Sequence, residues 1–181
     1  MKIILLTHER EVTRPTNTGH IAVNHAGEHC QRIVWSRVRP DPALLKALSL
    51  PDTVLLFPEN TADELNDTAD TSASQVEQIN KQPSALEAIE VANLPQTVVI
   101  LDATWQEARK MLRQSAYLKT ARRYSLTETA KSEFTLRRNQ VEGGLCTVEC
   151  IIELFKQAGM NDEAQRLHAE FVQFCHYPNS R

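Results

Sequence analysis

Four short runs, KIILLTH (2–8), QRIVWSR (31–37), TVLLFPE (53–59) and TVVILDA (97–103), constrain this chain more than any other feature. They are β-branched or apolar at consecutive positions. A strand with one wet face would alternate apolar and polar residues, so such runs need cover on both faces, as parallel strands in a layered α/β fold receive. The segments between them supply the cover: PALLKALSL and SALEAIEVANL space apolar residues at helical intervals, and WQEARKMLRQSAYL follows the fourth run directly. A short RRYSL run then leads into a basic, polar connection. The chain closes with LCTVECIIELFKQAG, capped by Gly159, and a C-terminal helix within 160–181 that contains DEAQRLHAEFVQFCHY. We expect an α/β fold, a mostly parallel sheet flanked by helices, in a single domain over 1–181. The stretch 59–75, ENTADELNDTADTSASQ, is acidic and rich in small residues and reads as an exposed loop.

Several function classes drop out early. No apolar stretch approaches the roughly 18 residues that span a bilayer, and MKIILLTHER meets charge too soon for a signal peptide, so a cytoplasmic protein is expected. Cys30, Cys146, Cys150 and Cys175 form no CxxC pair and read as reduced thiols. Cys146 and Cys150 would share one helix face, where core packing is the ordinary explanation. His8, His20, His25 and His29 fit no ligand spacing and read as surface or capping histidines. No metal is expected.

Charge is unevenly distributed behind a net of −3. Residues 59 to 90 hold eight acids against Lys81, whereas 102 to 138 hold nine bases against four acids. Nucleic acid would be repelled by the first segment and attracted by the second. Scattered solvated charge would also account for this, but the arginine content of the second segment tilts the reading toward bidentate contact with phosphates.

In an open parallel sheet ligands bind beyond the carboxyl ends of the strands. Thr7-His8-Glu9, Phe57-Pro58-Glu59 and Asp102-Ala103-Thr104-Trp105 stand at such ends. Asp102 or Thr104 could simply cap the following helix. Trp105 in the first turn is harder to dismiss, because a large ring at a strand exit can wall an adenine ring or a base. Gly143-Gly144, before a helix that opens with Thr147 and Glu149, would let backbone amides approach a ligand or would merely form a tight turn. It is not the GxGxxG of a dinucleotide site.

Taken in order, TNTG (16–19), LLFPE (55–59), LDATWQEARKML (101–112) and LRRNQVEGGLCTVE (136–149) resemble the motifs of the DTW-domain family, the tRNA-uridine aminocarboxypropyltransferases. The resemblance runs from Met1 to about Phe155. It implies a SPOUT-like fold with a C-terminal trefoil knot, S-adenosylmethionine as co-substrate and tRNA as partner, and leaves open a homodimer of the kind many SPOUT proteins form. The implied reaction moves a 3-amino-3-carboxypropyl group to N3 of a uridine and leaves methylthioadenosine. Two departures from the family pattern are visible: the cysteine-rich opening of longer members is not present, so no metal is implied, and Phe134 stands where tyrosine is common.

Residue by residue, the resemblance points to Asp102 as the base and to Trp105 packing near the sulfonium. Phe57, Pro58, Glu59, Thr104, Leu145, Cys146 and Thr147 would line the cofactor pocket. Asn17 and Thr18 would hold the cofactor ribose or a base edge, or merely form a turn, and Arg109, Lys110, Arg113, Arg137 and Arg138 would follow the tRNA backbone. Two alternatives stay open at this point, an S-adenosylmethionine-dependent RNA methyltransferase and a non-catalytic RNA-binding module.

Overall fold

Successive strand residues serve two different apolar layers, and this alternation sets the architecture. The computed structural model describes residues 1–58, 94–126, 134 and 144–176. Its elements, in chain order, are β1 (Lys2–Thr7), α1 (Gly19–His25), β2 (Cys30–Val34), α2 (Pro42–Leu48), β3 (Thr53–Leu56), β4 (Thr97–Asp102), α3 (Trp105–Gln114), α4 (Ala116–Lys119), β5 (Arg123–Tyr124), α5 (Thr147–Gln157) and α6 (Asn161–His176). Single 3-10 turns at Glu9–Glu11 and Gly27–His29 flank α1. On β1, Ile3 and Leu5 join a cluster with α1, α5 and α6, while Ile4 and Leu6 join one with α2, α3 and α4. On β4, Val98 and Ile100 take the first side, Val99 and Leu101 the second. Residues apolar at consecutive positions are thus buried on both faces, as parallel strands require.

The described strands form one sheet in the order β2-β1-β4-β3-β5, and every pair is parallel. From β1 the chain passes outward to β2 by way of α1; from β4 it passes the other way, to β5, by way of α3 and α4. These helices lie on opposite faces, so the winding reverses between β1 and β4, whose carboxyl ends are the place where open parallel sheets bind ligands. In register, Thr7 sits between Val34 of β2 and Asp102 of β4. Asp102 therefore closes the central strand at this reversal.

Expected boundaries shift in physically readable ways. The second strand begins at Cys30 and ends at Val34, so Trp35 to Arg37 belong to the loop that follows it. The expected helix over 105–118 is interrupted at Ser115, whose φ of −119° and ψ of 102° are extended. Ser115 is buried, and its hydroxyl accepts a hydrogen bond from the Trp35 indole at 2.9 Å. Helix α1 was not anticipated, because its seven residues offer too short an apolar pattern. The acidic stretch 59–75 and positions 84–93 of the expected second helix lie outside the described residues, as does 177–181 of the C-terminal segment. Among the described residues no helix is long and apolar enough to cross a membrane.

Gly159 ends α5 as the sequence suggests. With φ at +72°, its N–H reaches Lys156 O at 3.0 Å, and the next N–H, of Met160, reaches Phe155 O at 2.8 Å. This is a Schellman closure that favours glycine. Gly159→Ala should lower the unfolding free energy by about 1 kcal/mol in urea titrations, because the left-handed conformation penalises a Cβ. An unchanged midpoint would show that the turn relaxes freely.

Candidate active site

Asp102 ends a buried strand and is wholly inaccessible, at 0% exposure. A carboxylate without water needs donors, and the fold supplies them from four separate elements. Thr7 Oγ1 donates to Oδ2 at 3.0 Å from β1, and Asn17 Nδ2 donates to Oδ1 at 3.0 Å from the loop before α1. Thr147 Oγ1 donates to Oδ1 at 3.0 Å from the start of α5. Arg32 of β2 brings its guanidinium to within 3.7 Å of Oδ2. Gly19 allows this crowding: a Cβ there would stand 2.6 Å from Asp102 Oδ2 and 2.8 Å from Cγ.

A second buried carboxylate extends the network. Glu11 is also 0% exposed and pairs with Arg14 at 2.5 Å. The Asn17 amide bridges the two acids, donating to Glu11 Oε2 at 3.2 Å as well as to Asp102, while its carbonyl accepts from Arg32 Nη2 and from the His20 N–H, each at 3.2 Å. Two carboxylates are thereby matched by two guanidiniums, which is the condition for tolerating buried charge.

The residues after Asp102 divide the remaining tasks. Thr104 is the N-cap of α3: its hydroxyl accepts from the Glu107 N–H at 3.3 Å, and the Glu107 carboxylate accepts from the Thr104 N–H at 3.1 Å. This reciprocal capping box leaves Asp102 free of any capping duty. Trp105, the first helical residue, is 37% exposed and stacks on Phe57 from the end of β3, ring centres 5.2 Å apart and 11° from parallel. Cations flank the pair: Arg109 lies 5.3 Å from the Trp105 ring centre and Arg123 5.1 Å from that of Phe57. Trp105 is the exposed member of this stack; Phe57 is 3% exposed, held between the Trp105 ring and the Arg123 guanidinium.

The Gly144–Thr147 segment reaches the same place. Besides the bond from Thr147 to Asp102, the Val148 N–H approaches Thr18 Oγ1 at 3.4 Å, and the Glu149 carboxylate accepts from the Cys146 N–H at 2.8 Å. Cys146 and Cys150 pack against the α1–α5–α6 apolar cluster, in keeping with the packing reading of their spacing. Burial pushes the Cys150 and Cys30 thiols from 9.0 up to about 12, and it raises the Cys146 thiol as well.

Phe57, Thr104, Trp105 and Thr147 thus converge around the carboxyl ends of the central strands with Asp102. Pro58 is exposed beside Phe57, and Leu145 and Cys146 are half-buried next to Thr147. Asn17 and Thr18, expected to touch a ribose or base edge, are 1% and 3% exposed, and their side chains support the Asp102 network. On α3, Lys110 and Arg113 are exposed while Arg109 covers Trp105. Glu59, Arg137 and Arg138 lie outside the described residues. The histidines go separate ways. His8 accepts from the Arg10 N–H as a cap and stacks on Trp35, His20 sits between two carbonyls, and His25 and His29 face Glu170 and Glu163 of α6. Sequence reasoning missed Glu11, Arg14 and Arg32, which no local pattern marks; it included Gly19 only as the last residue of TNTG and Thr7 only as a strand end.

The DTW-domain family model matches residues 1–178 of the chain. No solved structure matches it.

Two measurements probe this geometry. Gly19→Ala should lower stability by about 2 kcal/mol through overpacking against the Asp102 carboxylate, although alanine ordinarily favours a helix. A raised unfolding midpoint would refute the close approach. Iodoacetamide at pH 8 should modify Cys30 and Cys150 roughly a thousandfold more slowly in the native protein than in urea, since thiols pushed to about 12 hold little thiolate there. Equal rates would show that burial does not suppress ionisation.

Proposed function

Because the chain belongs to the DTW-domain family, which is associated with tRNA modification, we propose that it transfers the 3-amino-3-carboxypropyl group of S-adenosylmethionine to N3 of a uridine in tRNA. The observation that carries this reading is convergence. Residues of all four motifs, far apart in sequence, meet at the carboxyl ends of the central strands: Asn17 and Thr18, Phe57, Asp102 to Trp105, and Thr147.

The residues present fit the co-substrate. Trp105 offers an accessible aromatic surface backed by the buried Phe57 ring, and the half-buried Gly144–Thr147 segment lies beside the end of β4. Phe57, Pro58, Trp105, Leu145, Cys146 and Thr147 would hold it, with Glu59 a member of the same set. When bound, S-adenosylmethionine supplies an activated γ-carbon: the N3–C bond forms as the S–C bond breaks, and methylthioadenosine leaves.

The N3 proton must go elsewhere, and Asp102 is the acceptor in this reading. Its complete burial prevents direct contact with the base. Thr147, half-buried at the start of α5, donates to Asp102 Oδ1 and can accept from N3–H, so one proton moves in from the base as another moves on to the carboxylate. Thr7, Asn17 and Arg32 hold the carboxylate in place for that transfer. Arg109, Lys110 and Arg113 would meet tRNA phosphates, with Arg137 and Arg138 in the same role. The reading takes the fold to be SPOUT-like, with a C-terminal trefoil knot and a homodimer. In its support, a parallel sheet meets a C-terminal helix, α5, that returns to the end of β4; residues 127–133 and 135–143 lie outside the described residues.

Purified protein incubated with bulk tRNA and S-adenosylmethionine should yield methylthioadenosine and a uridine heavier by one aminocarboxypropyl group, both read by mass spectrometry. S-adenosylhomocysteine with a methylated nucleoside would instead indicate a methyltransferase, and tRNA binding without turnover a non-catalytic module. Asp102→Ala strips the partner from four donors and should cost about 3–5 kcal/mol of stability, so Thr147 carries the finer test. Thr147→Ala should reduce kcat about 100-fold or more while Thr147→Ser stays close to wild type. Equal activity in all three would remove the hydroxyl from the proton route.

A further inference from the structure

We propose that the loops leaving β1 and β2 form a second RNA-phosphate surface, carried by Arg10, Arg37 and Arg39 and separate from the basic face of α3. The inference rests on the tRNA reading above for the identity of the ligand. Its basis is how the fold sorts its arginines.

The two loops are fixed side by side. The Trp35 N–H donates to Thr7 O at 2.9 Å, and the His8 ring stacks on Trp35 with centres 5.5 Å apart and planes 23° from parallel. Trp35 is anchored in turn through its indole to Ser115, and the Tyr117 hydroxyl donates to Ser36 O at 3.2 Å. Arg10 follows His8 by two residues; Arg37 and Arg39 follow Trp35 by two and four. All three are exposed. The surface is therefore presented on a backbone braced from beneath.

The neighbouring charges are already committed. Arg14 pairs with Glu11, and Arg32 reaches Asp102 and Asn17 inside the network. Of the acids on the two loops, Glu11 is buried and Asp41 accepts from the Ala43 and Leu44 N–H groups as the cap of α2, which leaves Glu9 as the exposed carboxylate. Among the described residues, the Arg10, Arg37 and Arg39 guanidiniums have no ion-pair partner. An unpaired guanidinium is poised for bidentate contact with a phosphate.

Position completes the case. Strand β2 lies at the sheet edge, two strands from β4, which puts the end of β2 about 10 Å from Asp102 at ordinary strand spacing. An RNA strand with its uridine near the end of β4 would have phosphates on both sides, the first turns of α3 toward β3 on one and these loops, braced on Ser115 and Tyr117 just beyond the end of α3, on the other. Between Arg37 and Arg39, Val38 is 80% exposed and offers an apolar contact to a sugar or base.

The test is tRNA binding by fluorescence anisotropy over a salt series, with wild type and the combined Arg10→Ala, Arg37→Ala, Arg39→Ala variant. Since the side chains are exposed, the variant should keep the wild-type Tm. We expect at least tenfold weaker binding at 100 mM salt and a log–log salt slope shallower by about 2–3, one unit per lost phosphate contact. A variant that binds with wild-type affinity and slope overturns the surface and assigns these arginines to another partner. If wild type makes methylthioadenosine from tRNA while the variant binds normally, only this inference fails; a wild type with no salt-dependent tRNA affinity defeats both readings.

Discussion

The buried carboxylate of Asp102 is the constraint on which the rest of this structure depends. An ion removed from water must be surrounded by donors or it will not stay charged, and here the donors come from β1, the loop before α1, β2 and α5. Each of those elements must therefore be in place at once. The sequence separations, 95 residues to Thr7, 85 to Asn17 and 45 to Thr147, show how much of the chain one side chain ties together. Gly19 belongs to the same constraint, because the helix that brings Asn17 and Thr18 inward must pass too close to the carboxylate for any Cβ.

That arrangement explains what could and could not be read from the sequence. The parallel sheet was legible because burial on both faces leaves runs such as VVIL, which no half-wet strand would keep. The exposed end of the site was legible too: Trp105 and Thr104 declare themselves by local rules of capping and aromatic exposure. Glu11, Arg14 and Arg32 were not, since nothing in their own neighbourhoods distinguishes a network member from a solvated charge. Asn17 and Thr18 were flagged yet assigned outward, because a TNTG turn looks polar and the local pattern does not show that a carboxylate from residue 102 will dehydrate it. The break at Ser115 was hidden for the same reason, its partner Trp35 being 80 residues away.

Both flanks of the site are rigid for different reasons. On the α3 side, Trp105 and Phe57 form a stack bracketed by Arg109 and Arg123, so a ring arriving there meets cations that are already placed. On the β2 side, rigidity comes from the His8–Trp35 stack and its bonds to the Ser115 hydroxyl and Ser36 carbonyl. A bimolecular reaction gains most when neither partner must be ordered at the moment of transfer.

The short word D-A-T-W condenses these demands into one turn. Asp102 must be the last residue in register with Thr7, or its carboxylate misses the hydroxyl at the end of β1 and the Arg32 guanidinium that reaches it from the middle of β2. Thr104 must precede the first helical residue by one, or the capping box with Glu107 is lost. That leaves one position, Ala103, to carry the chain from extended to helical backbone, and it places Trp105 at the helix start where its ring can reach Phe57 at the end of β3. Inserting a residue anywhere in the word would keep the composition and destroy the geometry, because strand register and helix cap are both fixed from outside it. The spacing is thus a property of the strand-to-helix turn itself, with structural tasks distributed across a hub, a cap and a ring rather than concentrated in a single side chain.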